Sequence, residues 1–443
     1  MGYGIKDILH NKARQLLHLE TEPGLGCTEP AAIGLAAAAA AALLGGARID
    51  AIAVETDPNS TKNAMGVIIP NAGGGAGIAL AAAMGALAGD ASRGLQVFAT
   101  VDGDGLDRAT ALLAAGGVRT QIAEQADGLY VKVSVDAAGR RAEAVIAGAH
   151  DSIVSLTLDN EARPLSRATG SAPGGNHERE ALKQWLVGLT LAELVGILDD
   201  LDADDLAFIK HGLTLNEALV EHGLTHAPGL GVGRTKLALI RQGLLKKDMA
   251  LWAALRAAAG IDSRMGGVPL PAMTLAGSGN QGIAAGIPVA AAAHFATLED
   301  ESVVLRAVTL SYLVTCSIKA GAGLLSALCG SGVAGGAGVA AGCAYLFGGA
   351  LESIGGALKN HIENSAAVLC DGAKTSCALK VGELAGSGVT SALLALHGCI
   401  VHPIDGIIDR SPDATMRNLG LIARQGLRGA DPVILDIMRS KQA

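Results

Sequence analysis

The amino-acid sequence predicts an α+β protein: a large helical domain rich in alanine and glycine, with a smaller α/β module of mostly antiparallel strands inserted near the N-terminus. Apolar residues make up 50% of the 443 residues, yet only 4 Phe, 4 Tyr and 2 Trp are present. Small side chains must therefore fill the core, so the helices must pack closely. Most of the chain has the three-and-four apolar spacing of helices, whereas residues 95–160 alternate as strands do.

The N-terminal part, residues 1–46, is expected to supply helices that join the helical domain. Residues 5–20 place isoleucine and leucine on one helical stripe. The segment TEPGLGCTEP then interrupts this helix with two prolines, and an Ala-rich helix resumes over residues 31–45. The GCTEP loop is thus predicted to lie between two helices.

Residues 47–165 are predicted to form the small α/β module. A helix over residues 106–115 lies among its strands, and Asp-Ala-Ala-Gly at 136–139 is predicted to be a hairpin turn. The segment DPNSTKNAMG after the first strand is predicted to be a loop. The predicted strands are ARIDAIAVETD, LQVFATV, VRTQIA, LYVKVSVDAAG, RRAEAVIAG and SIVSLTLD.

The rest of the chain, residues 166–443, is predicted to be the helical domain that carries the chemistry. Residues 162–180 are rich in Pro, Gly and Ser and are the best candidate for a linker. Beyond them the apolar spacing is helical to the end. Loops are expected at HAPGLGVGR, GSGNQG, CDGAK and HPIDG.

Charge and hydropathy exclude several kinds of partner. The net charge is −8 and no basic run is present, so the sequence predicts no nucleic-acid partner. Residues 326–351 carry no charge and are long enough to span a bilayer, but Gly, Ala and Ser dominate them. We expect a buried core helix there, and no membrane partner. The N-terminus lacks the apolar stretch of a signal peptide, which favours a cytoplasmic protein.

Seven cysteines are the most informative feature, and six of them follow position 315. Cys370 and Cys377 would stand about 10 Å apart along one straight helix. The Asp-Gly pair after Cys370 breaks such a helix, which would let both thiols reach one site, with Cys329 arriving from another helix. A [4Fe–4S] cluster, a single metal ion and thiols that only fill the core all stay open on spacing alone.

Three other motifs carry candidate site residues. Cys27, in GLGCTEP, precedes an Ala-rich helix whose positive end would favour a thiolate, so it is a candidate base, nucleophile or reversible cluster ligand. The two remaining motifs, DPNSTKN and GSGNQG, have the amide, hydroxyl and backbone N–H groups that recognise carboxylates and ammonium groups. They contribute the candidate substrate-binding residues Ser60, Lys62, Asn63, Ser278 and Asn280.

The segments GCTEPAAIGLA, STKNAMGVIIP, HAPGLGVGR, GSGNQGI, SALCG and CDGAKTSCALK occur in this order and together resemble the L-cysteine desulfidases, which are related to the alpha chain of the iron–sulfur L-serine dehydratases. The resemblance covers residues 20–410. It implies a [4Fe–4S] cluster held by Cys329, Cys370 and Cys377, with one iron free to bind substrate. It also implies that Cys27 takes part in proton transfer or caps the resting cluster.

The sequence departs from this family pattern at two points. Relatives often have a second cysteine after SALCG, where this chain has Ser331; if that thiol were the ligand, Cys343 would be the candidate to replace it. Some serine dehydratases also end in a cysteine tail that plugs the open iron, whereas this sequence ends RSKQA. Cys27 is then the remaining candidate for that role.

The implied reaction is β-elimination from L-cysteine to sulfide, ammonia and pyruvate. L-Serine is the close alternative, because replacing sulfur by oxygen changes one atom of the substrate. A cluster-free protein that binds a small amino acid, and a membrane transporter built on the Ala/Gly helices, are alternatives of other classes. The glycine-rich helices can pack within one chain or across a homo-oligomer.

Overall fold

The fold has two hydrophobic cores, one in a small α/β module and one in a large helical domain. A computed structural model describes residues 5–126, 128–165 and 175–441 of the chain. The predicted α+β class is confirmed. Part of the predicted linker, residues 166–174, lies outside the described residues.

The strands of the described residues form two sheets. The larger sheet has the order β3-β2-β4-β5-β6-β7; β2 and β3 are parallel and the other neighbours are antiparallel. The smaller sheet pairs β1 with β8 across the chain. The strands are β1 (Pro23–Leu25), β2 (Ile49–Thr56), β3 (Val118–Ile122), β4 (Tyr130–Ala137), β5 (Arg140–Ala147), β6 (Ile153–Leu158), β7 (Glu161–Ala162) and β8 (Pro271–Met273).

Helices make up most of the rest. The α-helices are α1 (Ile5–Glu20), α2 (Thr28–Ala42), α3 (Pro58–Ala64), α4 (Ile78–Ala88), α5 (Gly103–Ala114), α6 (Gly175–Val187), α7 (Leu191–Ile197), α8 (Ala203–His226), α9 (Val232–Arg241), α10 (Met249–Met265), α11 (Gly279–Phe295), α12 (Glu301–Ala322), α13 (Gly335–Leu346), α14 (Leu351–Ser365), α15 (Cys377–Leu396), α16 (Pro412–Leu421) and α17 (Ala430–Ser440). Short 3₁₀ segments cover Ala91–Thr100 and Leu198–Asp200, and short π-helical segments cover Gly330–Ala334 and Ile422–Gly426.

The N-terminal part is shared between the two cores, which differs from the division expected from sequence. Helix α1 contributes to the core of the helical domain, whereas α2 packs on α4 and on the large sheet. A side chain on Gly85 of α4 would overlap the backbone of Gly34 in α2. The two helices therefore approach backbone to backbone, as the ring-poor composition predicted.

Two local predictions are wrong for identifiable reasons. The segment LQVFATV is not a strand but part of a 3₁₀ segment, because Gly94 turns the chain at φ 54° and Phe98 packs beside Gly34. The segment DPNSTKNAMG is not a loop but contains α3. Asp57 accepts hydrogen bonds from two backbone N–H groups of this helix at 2.9 Å, and proline occupies the first helical position, where it is well tolerated.

Helix α10 is the centre of the helical domain, packed by α8, α9, α11 and α15. In the described part of the chain, α12 and α15 are long and apolar enough to cross a membrane, and the bent pair α6–α7 would add a third span if counted as one. Most of the apolar stretch of α12 and over half of that of α15 are buried in the protein. Residues 326–351 contain a π-helical turn followed by the buried α13, so a core helix was the correct prediction for part of this stretch.

Candidate active site

Four helical segments begin at one buried cavity. Cys27 precedes α2, Ser278 precedes α11, Cys329 precedes the π-helical turn that leads into α13, and Cys377 is the first residue of α15. All four residues line the cavity, which leaves about 90 Å³ for the centres of water-sized molecules. Helix N-termini present free N–H groups and a positive dipole end, so the cavity favours anions.

The pairing of β1 with β8 brings two of these helices together. Pro23 lies opposite Met273 and Leu25 lies opposite Pro271. The GCTEP motif directly follows β1, and the GSGNQG motif follows β8. A strand pair that spans about 250 residues of sequence therefore fixes the two motifs side by side.

A second short pairing places Cys329 beside Cys370. Leu328 and Leu369 form an antiparallel bridge. The Cys329 N–H donates to the carbonyl of Val368 at 3.0 Å, and the Cys370 N–H donates to the carbonyl of Ala327 at 2.7 Å. The two cysteines thus lie on neighbouring extended segments that both border the cavity.

The predicted break after Cys370 is confirmed. Gly372 has φ 92°, a conformation that favours glycine, and turns the chain so that Cys377 starts a new helix. The Sγ atom of Cys377 lies 3.8 Å from the carbonyl oxygen of Gly372. Cys329, Cys370 and Cys377 accordingly line the same cavity, as the sequence predicted.

Cys370 is close enough to Cys329 and Cys377 to influence their ionisation. Burial, together with the nearby Cys370 and Cys377, raises the pKa of Cys329 to about 12. Burial also raises the pKa of Cys377, and Cys370 adds to this. Burial lowers the pKa of Lys319 to about 8, although Cys370 and Cys329 oppose the shift. Cations beside the thiols would stabilise the thiolates that a metal centre requires.

The cavity wall carries three clustered thiols, Cys329, Cys370 and Cys377, which are the donor type that iron–sulfur clusters use. Among the described residues, no three His, Cys, Asp or Glu side chains converge closely enough to hold one metal ion. A single ion gathers its ligands at one point, whereas a four-iron cluster takes each thiolate at a separate iron. All seven cysteines are free, and four of them line one cavity, which four helical N-termini also border.

Cys27 stands at a helix N-terminus, as predicted, but the expected lowering of its pKa is wrong. Burial raises the pKa of Cys27 well above its usual value, and the charge of Glu29 raises it further. The Cys27 thiol donates to Glu29 Oε2 at 3.0 Å. The thiol is therefore protonated at neutral pH, because its own burial and the nearby carboxylate together outweigh the helix dipole.

Glu29 is the ionised partner in this pair. Burial opposes its ionisation, but His150, the Cys27 thiol and the Asn63 amide together hold its pKa well below the usual range. Asn63 Nδ2 donates to Glu29 Oε1 at 2.8 Å, and Thr28 Oγ1 donates to Glu29 Oε2 at 3.1 Å. A buried carboxylate with a thiol proton in reach is a candidate for proton transfer.

Arg264 presents unused hydrogen-bond donors to the cavity. Its side chain is only 2% exposed, and its Nη1 donates to Asn280 Oδ1 at 3.0 Å. Its Nε and Nη2 have no hydrogen-bond partner among the described residues. A side chain on Gly279 would overlap this guanidinium, so the glycine makes room for it. Buried donors without a partner are costly, which indicates that a ligand completes them.

Three of the five predicted substrate-binding residues line the cavity: Asn63, Ser278 and Asn280. Ser60 and Lys62 do not. Lys62 is buried and instead donates to the carbonyl of Cys370 at 3.1 Å and to Asp431 in α17. Lys62 therefore stabilises the CDGAK loop and does not border the cavity.

Several cavity residues were missed by the sequence reading. Glu29 lies within the GCTEP motif and Gln281 within the GSGNQG motif. No local pattern marks His150, Arg264 or Lys319, because each stands outside any motif. The missed residues that line the cavity include Glu29, His150, Arg264, Gln281 and Lys319.

The remaining thiols lie away from the cavity lining. Cys343 is fully buried in α13 and does not border the cavity, whereas Ser331 does. Cys316 is buried in α12 and Cys399 is exposed. The arrangement therefore offers no support for Cys343 as a replacement ligand. A wider groove of about 720 Å³ runs along α3, α4 and β3, but no cysteine or histidine of the described residues lines it.

The sequence profile of the serine dehydratase alpha chain matches residues 152–436, which contain Arg264 and the three clustered cysteines. The chain belongs to the serine dehydratase alpha-chain family. The resemblance found in the sequence is thereby confirmed. Membership of this family supports a lyase-type function in amino-acid breakdown.

Relatives of this serine dehydratase alpha-chain family member are similar along nearly its whole length. A UPF0597 protein of Desulfatibacillum aliphaticivorans is 44% identical over 100% of this chain and 99% of its own length. UPF0597 proteins of Shewanella baltica and Geobacter sulfurreducens are 37% and 34% identical, over 94% and 96% of this chain and 96% and 97% of their own lengths.

Proposed function

We propose that this protein is a [4Fe–4S]-dependent lyase that eliminates the β-substituent of a small amino acid, L-cysteine above all, to give sulfide, ammonia and pyruvate. One observation carries the proposal: a single buried cavity is lined by Cys329, Cys370 and Cys377, by Cys27, and by an Arg264 guanidinium with unpaired donors. L-Serine, which would lose its hydroxyl by the same chemistry, is the second candidate substrate.

The three clustered cysteines would hold the cluster as thiolates. When bound, it supplies an iron without a protein ligand, which acts as a Lewis acid toward the substrate. The four helical N-termini and Lys319 would offset the negative charge of thiolates and cluster.

The cavity matches the two charged ends of an amino acid. The unpaired Nε–H and Nη2–H of Arg264 can donate to the substrate carboxylate, and planar paired donors suit that group. Asn63 Oδ1 is buried without a partner among the described residues and can accept from the substrate ammonium. Asn280 fixes the guanidinium and Glu29 fixes the amide. These contacts would orient the Cα–H bond within the cavity.

The chain's own proton acceptor is the Cys27–Glu29 pair. Once the Cys27 thiol has lost its own proton, its sulfur can take the Cα proton. The electrons of the Cα–H bond then form the carbon–carbon double bond, and those of the Cβ–S bond leave with sulfur. The aminoacrylate product hydrolyses to pyruvate and ammonia. A raised thiol pKa makes the corresponding thiolate a strong base, which a weakly acidic Cα proton requires.

Replacing Arg264 with glutamine should weaken substrate binding. Losing charge-assisted hydrogen bonds to a buried carboxylate costs about 1.5–3 kcal/mol, so KM should rise roughly 10- to 150-fold. The measurement is steady-state kinetics, with iron content determined in parallel. Arg256→Gln is the matched control, because Arg256 pairs with Glu217 and Glu221 outside the cavity. An unchanged KM in Arg264→Gln would remove the guanidinium from substrate recognition.

The proposed function is tested by anaerobic purification and reconstitution with iron and sulfide. We expect a brown protein with about four irons and four sulfides per chain, which converts L-cysteine to sulfide, ammonia and pyruvate and loses activity in air. A protein that stays colourless after reconstitution would instead favour the cluster-free binder. Faster turnover of L-serine than of L-cysteine would reassign the substrate within the same chemistry.

A further inference from the structure

A second, smaller cavity lies directly behind the candidate active site. The two cavities share His150, Gly277 and Leu324 in their walls. The outer one leaves about 20 Å³ for the centres of water-sized molecules, which is room for about one water. Its other polar lining groups are Thr274 and the charged residues Glu20, Glu22, Asp151, Arg179 and Lys183.

His150 is the side chain between the two cavities. It is 3% exposed, and neither ring nitrogen has a hydrogen-bond partner among the described residues. Its Nε2 lies 3.7 Å from Glu29 Oε1, on the side of the active site. Buried ring nitrogens without a hydrogen-bond partner require water or a ligand. An imidazole can also take a proton at one nitrogen while it releases another proton from the second.

Glu22 is the proton acceptor on the outer side. Burial, with the charges of Asp151 and Glu20, raises its pKa to about 8, and Arg179 opposes this shift. The other two acids are neutralised by ion pairs, from Arg179 to Asp151 at 3.1 Å and from Lys183 to Glu20 at 3.2 Å. Glu22 is partly exposed and can therefore exchange its proton with solvent.

We propose that His150 and Glu22 relay protons between the Cys27–Glu29 pair and solvent through the water-sized cavity behind the active site. This relay deepens, and rests on, the proposed lyase function. The thiol proton of Cys27 passes across the Glu29 carboxylate, which lies between them and does not retain it, to His150 Nε2. From His150 Nδ1 a proton then passes through one water to Glu22. Each turnover then places the substrate's Cα proton on Cys27, and the same route discharges it, so one proton leaves per product formed.

The relay predicts that His150→Gln slows turnover without weakening substrate binding. We expect kcat to fall roughly 10- to 100-fold with KM unchanged. Added imidazole, small enough to replace the missing ring, should restore a measurable part of kcat. Glu22→Gln should lower kcat in the same way. Glu217→Gln is the matched control. Burial also raises the pKa of Glu217, but this residue pairs with Arg256 and lines neither cavity. Unchanged kcat in His150→Gln, or a loss that imidazole does not restore, would overturn the relay.

An infrared titration tests the relay without turnover. In cluster-free, substrate-free protein, a protonated-carboxyl band that is absent from Glu22→Gln should titrate near pH 8, and His150→Gln should move its midpoint. A midpoint that His150→Gln leaves in place would contradict the connection between the two residues. A wild-type protein that holds iron yet eliminates nothing would count against the lyase function, whereas normal kcat in His150→Gln would count against the relay alone.

Discussion

Replacing Cys370 with serine should remove the cluster and the activity together. A serine hydroxyl is a poor cluster ligand, and two remaining thiols cannot hold four irons in place. Without its Lewis acid the reaction should slow at least about a thousandfold, which corresponds to about 4 kcal/mol of lost transition-state stabilisation. Iron and sulfide content, visible absorption and the rate of sulfide release from L-cysteine measure the outcome on anaerobically reconstituted protein.

Cys399→Ser is the control for this substitution, because Cys399 is exposed and lies outside the cavity lining. It should keep full iron content and full activity. Cys329→Ser and Cys377→Ser should behave as Cys370→Ser does. If Cys370→Ser retained both its iron and its activity, the three-thiol site would be refuted.

The sequence predicted the fold class because periodicity is a local property. Residues 47–56 and 130–158 alternate apolar and polar side chains, and the structure places strands in both ranges. The same reasoning failed for LQVFATV, whose apolar residues face the core from a 3₁₀ segment. Only the partner helix α2 and the turn at Gly94 decide that outcome, and neither is visible in a short window of sequence.

The thiols of the site were predictable and their electrostatics were not. Residue type and spacing singled out Cys27, Cys329, Cys370 and Cys377, and all four line one cavity. The helix dipole alone suggested a thiolate at Cys27, but burial of the thiol, and then the charge of Glu29 two residues away, raise its pKa instead. Whether that carboxylate turns toward the thiol depends on the Asn63 amide and the His150 ring, which arrive from other elements.

Lys62 shows how composition can mislead about role. A lysine among amide and hydroxyl side chains suggested ligand recognition, yet α3 directs it to the carbonyl of Cys370 and to Asp431. Arg264 is the opposite case. It lies inside an Ala-rich helix with no surrounding motif, and only the tertiary packing of Gly279 against it reveals a buried guanidinium with free donors.

Replacing Cys27 with alanine should separate chemistry from cluster binding. The three clustered thiols are untouched, so iron content and visible absorption should stay at wild-type levels. Loss of the group that takes the Cα proton should lower kcat about 100-fold or more, within the range found for positioned acids and bases. In the wild type, the raised pKa of Cys27 means that kcat/KM should increase as pH rises through the alkaline range, because only the thiolate accepts the proton. Cys27→Ala should lose that increase.

Cys316→Ala is the matched control, since Cys316 is also a buried thiol whose pKa burial raises, but it lies in α12 away from the cavity. It should keep both its iron and the alkaline rise in activity. If Cys27→Ala kept full turnover, the proton would have to leave through another group, and Glu29 would be the next candidate because it is the ionised carboxylate nearest to the thiol. If Cys27→Ala instead lost its iron, Cys27 would be a ligand rather than a base, and the raised pKa of its thiol would describe only the metal-free protein.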